Sequence, residues 1–340
     1  MKSSLKEISS ALTLGGLESS SLSIQEKKFI QSRKPSGVTL FTRNIPNPEK
    51  IEKLQLITEL QECSSNDSLP LIIAVDQEGG TVARLKNSLV DPGPSLFLAK
   101  GETHKEALKE IKKLGETLGK SLLESGFNVN FAPSVDITTS AKASECAINT
   151  RSFGYTKEDV IVRARSFIQG LQSSGISGCI KHFPGLGGIK IDTHKLTAVA
   201  PYSEKDLWEK HIEPFIALKD EVKMVLVSHC IYPNICPYEA TRSHKIMTEI
   251  LRKKLGFEGL IVSDDLGMNA VTNAKTPWED YIIQSISAGC DLLLICKGLK
   301  QWEIACHVIE LEAKKNPSFK KRVLESCERI QNFRQQLSSC

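Results

Sequence analysis

The chain has 340 residues, 40% of them hydrophobic and 25% charged, enough for one large domain or two small ones. Its 44 basic and 40 acidic residues leave a net charge of only +4, so no nucleic acid or other polyanion is implied as a partner. No run approaches the roughly 20 apolar residues of a membrane span, and the segment after Lys2 and Lys6 lacks the apolar core of a signal peptide.

Eight apolar runs recur along the chain, with helical patterns between them: Ala11–Leu14, Val38–Phe41, Leu71–Val75, Val129–Phe131, Cys179–Ile180, Met224–Val227, Leu260–Val262 and Leu292–Ile295. Most are continuous rather than alternating, as expected of parallel strands covered on both faces. Pro48 opens a helical segment through Ile51, Leu54, Ile57 and Leu60. From 104 to 124, Leu108, Ile111, Leu114, Leu118 and Leu122 recur at helical spacing. Thr156 with Asp159, and Ser203 with Asp206, resemble capping boxes, the second ahead of a helix containing Phe215 and Leu218. Ser243 can cap a helix that ends before Gly256, and Thr276-Pro277-x-Glu279 has the form of a cap, a first-turn proline and a reaching glutamate. Two further helical patterns, around 301–313 and 318–336, close the chain. Strands alternating with helices over one domain's length argue for an α/β fold: a (β/α)8 TIM barrel spanning residues 1–340, possibly irregular at its first strands. A doubly wound open sheet is the alternative.

A barrel collects its chemistry at the carboxyl ends of its strands, and polar residues fall there. Strand 71–75 runs into Asp76-Gln77-Glu78-Gly79-Gly80 and then Arg84; strand 129–131 leads to Asp136. The run at 179–180 leads to Lys181 and His182, strand 224–227 to Ser228 and His229, and strand 260–262 to Ser263-Asp264-Asp265. Neighbours on a strand point oppositely, so one of Asp264 and Asp265 faces the site; Asp265 is expected to bond backbone beneath the loop. Asp264 could serve as nucleophile, general base or metal ligand. Glu78 reads as a residue bonding loop backbone in the Gly79-Gly80 turn, with Arg84 a candidate partner. His229 divides evenly between pocket and core, and Asp136 reads as a loop stabiliser.

After Phe183-Pro184, a glycine-rich loop (Gly185, Gly187, Gly188) ends in Asp192-Thr193-His194. Residues two apart share no helix face, but in an extended loop both side chains can point one way. A carboxylate beside an imidazole there would make a proton-transfer pair. Three functions compete on the residues alone. Glycoside hydrolysis would use Asp264 and the loop dyad. Metal-assisted hydrolysis would draw ligands from His182, Asp192, His194, His229 and Asp264, although Lys181 would oppose a cation there. The third is a sugar-binding barrel without turnover. The ten cysteines show no Cys-x-x-Cys pair and no metal-ligand spacing, and Cys179, Cys230, Cys290 and Cys296 lie in apolar runs. They read as reduced thiols of a cytoplasmic protein, with neither metal nor cofactor expected.

The K-H-F-P-G segment with D-T-H, the D-Q-E-G-G segment and S-D-D-L-G-M together resemble family 3 glycoside hydrolases. Within that family they are most similar to bacterial single-domain β-N-acetylglucosaminidases that act on cell-wall muropeptides. The likeness runs from G-V-T-L-F-T-R-N at 37–44 to A-G-C-D-L-L-L-I-C at 288–296. It implies that Asp264 is the catalytic nucleophile and His194 the acid/base, oriented by Asp192. Asp76, Arg84, Arg151, Lys181 and His182 would grip the hydroxyls of N-acetylglucosamine. The implied substrate is a small carbohydrate, a GlcNAc-containing muropeptide, with a monomer as the expected state. Two positions depart from the family pattern: Leu186 stands where K-H-F-P-G-H-G has its last histidine, and Thr81 where D-x-E-G-G-R has its arginine. Neither change removes an implied catalytic group.

Overall fold

The computed structural model describes residues 4–45, 54–64, 69–85, 91–95, 98, 104–142, 144–190 and 197–337. Eight parallel strands close into a barrel: β1 Thr13–Gly16, β2 Gly37–Leu40, β3 Ile72–Val75, β4 Val129–Asn130, β5 Ser177–Phe183, β6 Met224–Val227, β7 Leu260–Asp265 and β8 Leu292–Ile295. Each pairs with its sequence neighbours, and β8 returns to β1 through Thr13 opposite Leu293. This is the expected (β/α)8 TIM barrel, and an open sheet is ruled out by that last pairing. Every one of the eight apolar runs supplies a strand. Ala11 instead ends the helix Leu5–Ala11, which leads into β1.

The irregularity is not at the first strands, which is a correction. β1 and β2 pair in unbroken register. The departures are in the middle and at the end: β4 has two residues, and register shifts interrupt the pairing of β5 with β6 and of β7 with β8. The chain beyond β4 meets Pro133, which has no N–H to give a ladder. Pairing resumes past it, where the Val135 N–H donates to the Lys181 carbonyl at 2.8 Å.

Helices cover the outside. His104–Glu124 and Lys157–Ser173 follow β3 and β4, and Thr156 caps the second by accepting from the Asp159 N–H. Of the segment expected to open at Pro48, the described part is the helix Gln55–Cys63; Pro48 and Ile51 lie outside the described residues. The helix expected after Ser203 is broken. Ser203 caps a single turn, Glu204–Asp206; a wider turn follows at Leu207–His211, and a fresh helix begins at Glu213–Leu218. Pro214 lies in the first turn of that last piece, the one place in a helix where a missing N–H is harmless. The cap expected at Thr276 is also absent: Trp278–Ala288 starts without a side-chain cap, and the Thr276 hydroxyl accepts instead from Arg242 at 2.8 Å.

At the foot of the barrel, buried Asp291 just before β8 binds Arg252 at 2.6 Å, Arg322 at 2.7 Å and Ser326 at 2.9 Å. Through the last two it ties the final helix, Pro317–Leu337, to the strands. A charge this deep is tolerable only because its partners surround it. No described helix is long and apolar enough to cross a membrane.

Candidate active site

The carboxyl ends of β2, β3, β5, β6, β7 and β8 open into one cavity. Asp76, Glu78, Arg84, Arg151, Lys181, His182, Asp264 and Asp265 provide its polar wall. Six of the sequence-derived site residues are therefore brought together: Asp76, Arg84, Arg151, Lys181, His182 and Asp264. Asp192 and His194 lie outside the described residues.

β3 ends in Val75 and delivers Asp76 to the mouth. The chain then folds back as a small hairpin, Gln77–Gly79 against Val82–Ala83. Gly79 and Gly80 make its turn at φ of 102° and 62°, where a side chain would be strained. Gln77, wholly buried, holds this hairpin shut: its Oε1 accepts from the Arg84 and Leu85 N–H groups at 2.7 and 3.0 Å. Asn130 of β4 exchanges two bonds with the Gln77 backbone. Arg84 is thereby set beside Asp76, with Nη2 3.9 Å from Oδ2. The alternative pairing of Arg84 with Glu78 is not what forms.

Glu78 is the residue the sequence reading misplaced. It does not bond the turn. Its carboxylate takes a two-pronged contact from Arg151, at 2.9 and 2.8 Å, and a third bond from Lys181 at 2.6 Å. Lys181, on β5, also donates to Asp76 at 2.7 Å. Burial pushes the Glu78 carboxyl upward, but Arg151 and Lys181 override it and hold it well below the usual carboxylate range. Burial works against the Lys181 ammonium too, and Asp76 and Glu78 outweigh that and raise its pKa. A fixed ionic lattice results, built from three separate segments: the hairpin after β3, the turn at Asn149–Arg151 and strand β5.

Asp136 is more than a loop stabiliser. One oxygen accepts from Ser134 at 3.0 Å and from the His182 backbone and Nδ1 at 3.2 and 2.7 Å; the other takes the Leu186 N–H at 2.6 Å. His182 Nε2 lies 3.2 Å from Arg151 Nη2. A guanidinium only donates, so Nε2 accepts and the ring proton sits on Nδ1, facing Asp136. His182 thus positions Arg151 with both nitrogens engaged. The Lys181–His182 peptide is cis.

On β7, Asp264 and Asp265 both line the cavity where the strand's register shifts, and Asp265 also bonds backbone beneath the loop, as expected of it. Asp265 Oδ1 accepts from the Gly267 and Cys296 N–H groups, each at 2.9 Å. Burial raises its pKa, those two bonds lower it less, and the charge of Asp264 adds to the rise. His229 belongs to the core. Its Nδ1 meets Thr241 at 2.8 Å and its Nε2 the Asp265 carbonyl at 3.1 Å, and burial lowers its pKa against the pull of Asp264. Among the described residues no three His, Cys, Asp or Glu side chains converge as metal ligands.

A barrel whose mouth carries a carboxylate opposite a lysine–arginine–carboxylate lattice is suited to gripping a polyhydroxylated ring. Comparison with known proteins identifies the family. Residues 9–333 match the profile of the glycosyl hydrolase family 3 N-terminal domain. The chain belongs to glycosyl hydrolase family 3. Its relatives include a β-hexosaminidase of Idiomarina loihiensis, 30% identical over 81% of this chain and 80% of that protein. One of Haemophilus influenzae is 29% identical over 95% and 92%. Among solved family 3 structures, a β-N-acetylglucosaminidase from a Paenibacillus species superposes with a TM-score of 0.90 at 28% identity; the match covers 99% of this chain and 63% of that longer one. A β-N-acetylhexosaminidase from Beutenbergia cavernae gives 0.86 at 25% identity, over 98% and 99%. The resemblance drawn from the motifs is thereby shown, and the chain is a glycoside hydrolase.

Proposed function

We propose that this family 3 barrel is a retaining β-N-acetylglucosaminidase that releases non-reducing terminal N-acetylglucosamine from muropeptides through a covalent glycosyl-Asp264 intermediate. The observation that carries the reading is the placement of Asp264 in one cavity with the Asp76–Lys181–Glu78–Arg151 lattice. The names of the relatives supply the sugar. In this proposal the whole chain is a single catalytic barrel, working as a monomer in the cytoplasm without a metal or cofactor. All nine described cysteines are free thiols, which suits a reducing compartment.

Asp264 would attack the anomeric carbon while His194 gives its proton to the leaving oxygen, then takes one from the water that completes hydrolysis. An imidazole with an ordinary pKa of about 6.5 can do both near neutrality. Asp192 would fix its tautomer and stabilise the imidazolium, as the third member of a hydrolase triad does. Asp76, Lys181 and Arg151 would hold the ring hydroxyls. Arg84 has a buried Nε with no acceptor among the described residues, which leaves it a donor to offer.

The deciding assay is an aryl N-acetyl-β-glucosaminide with and without chelator and with and without phosphate. Turnover is expected and should be insensitive to both. Loss of activity with chelator would bring back the metal-assisted route, and a sugar phosphate product would make the chain a phosphorylase. Binding of N-acetylglucosamine with no turnover would favour a lectin-like barrel.

The role of His194 has its own test. His194→Ala should slow hydrolysis of glycosides with poor leaving groups by about 10²–10⁴-fold, the usual span of general acid catalysis. Activated aryl glycosides need little protonation and should lose far less. Equal losses on both substrate types would remove His194 from that role.

A further inference from the structure

We propose that the hydroxyl of Thr39, on β2, is a specificity contact for the primary hydroxyl on the exocyclic C6 of the bound sugar. The inference rests on the glycosidase reading above.

Thr39 lies opposite Gly16 of β1 and Ala74 of β3. In a strand, every second side chain shares a face. Ala74 and Asp76 therefore point the same way, and Thr39 sits one layer below Asp76 and Phe41 on the cavity floor. Thr39 is 1% exposed and lines the cavity, yet its Oγ1 has no hydrogen-bond partner among the described residues. A buried hydroxyl without a partner costs stability and is rare in a well-packed interior. A ligand oxygen would resolve it.

The order of strands indicates which oxygen. In a closed ring of eight, β3 lies opposite β7. A pyranose with C1 against Asp264 on β7 turns C4 toward Asp76 and Arg84 on the β3 side. The β4–β5 flank carries Arg151 and Lys181, charged donors that suit the C2–C3 edge with its two heteroatom substituents. The opposite flank, formed by β2 and β8, is lined by Phe41, Leu294 and Cys296, with Thr39 beneath them. That flank suits the C5 edge, where a methylene meets apolar wall and a single hydroxyl seeks a single partner. A hydroxyl both donates and accepts, so it matches that alcohol without introducing a charge.

The test compares wild type, Thr39→Val and Thr39→Ser on an aryl N-acetyl-β-glucosaminide and on its 6-deoxy counterpart. Valine keeps the shape and removes the hydroxyl. It is expected to lower kcat/KM on the parent glycoside by about tenfold, near what a neutral hydrogen bond supplies, and to leave the 6-deoxy substrate within about twofold. Thr39→Ser should keep the wild-type preference between the two. Tm of Thr39→Val should stay level or rise, because an unpaired polar group is gone. Equal losses on both substrates, or no loss on either, would overturn the contact and leave the glycosidase reading standing. Failure of the wild-type chain to cleave either glycoside would overturn both.

Discussion

Asp264→Asn is expected to reduce turnover by roughly 10⁴-fold or more, the scale on which enzymes lose a covalent nucleophile, while the Kd for N-acetylglucosamine changes by no more than a few-fold. The structure gives a reason to expect this separation. Asp264 is the penultimate residue of β7, and its Oδ1 accepts the neighbouring Asp265 N–H at 2.9 Å, a bond that an amide oxygen can also accept. The bonds that fix the loop beneath run instead from Asp265 to Gly267 and Cys296. An amide at 264 therefore removes the attacking charge without loosening the strand end. Azide, small enough to take the place of a deleted carboxylate, should restore part of the rate of Asp264→Ala. Measuring kcat and sugar affinity on the same purified variant decides the matter. Residual turnover within a hundredfold of wild type would shift the nucleophile to Asp265 or to a different mechanism.

Glu78→Gln carries the second large effect, and it is an effect on stability as well as on rate. The glutamate is 3% exposed and neutralises Arg151 and part of Lys181. Replacing it by its amide leaves a guanidinium buried without its counter-charge, a change that typically costs about 3–5 kcal/mol. Activity should fall with it, because Arg151 would no longer be held by its two-pronged contact. The pH dependence has a definite sign. The folded-state pKa of Glu78 is depressed, so its contribution is complete above the unfolded value near about 4.3 and is lost as pH falls toward the folded value. Denaturant unfolding of both proteins should show a gap of several kcal/mol at pH 7 that narrows below about pH 4. A gap that stays constant through acid, or is absent at neutrality, would mean that the glutamate does not carry this charge balance.

The fold was legible because parallel strands buried on both faces must be continuous apolar runs, and chain order then dictates neighbours. What escaped was the exact form of the middle strands. Nothing in Val129–Phe131 announces that only Val129 and Asn130 would pair as a strand, since the interruption depends on how Pro133 meets β5. The site divided along the same line. Asp76 and Lys181 follow apolar runs directly, Asp264 follows one after a single serine, and all three could be picked by position. Glu78 could have been found with them: it lies two residues beyond Asp76, a spacing that puts both carboxylates on one side of an extended chain. Its place beside two glycines made it look like a turn residue. Its partners, Arg151 and Lys181, stand on other segments of the chain, and no local pattern records such a meeting. Thr276 failed as a cap for a similar reason, a distant arginine having taken its oxygen.

The pairing of Lys181 and Arg151 with Asp76 and Glu78 has a consequence for which rings can enter. With the ammonium and guanidinium already matched by fixed anions, a neutral sugar displaces water but no counter-ion, so its affinity should hardly follow ionic strength. A uronic acid would meet Asp76, Glu78 and Asp264, and among the described lining residues Lys181 and Arg151 are already matched by carboxylates, which leaves Arg84 alone to receive its charge. In the proposed function the lattice would disfavour acidic sugars while it orients neutral ones.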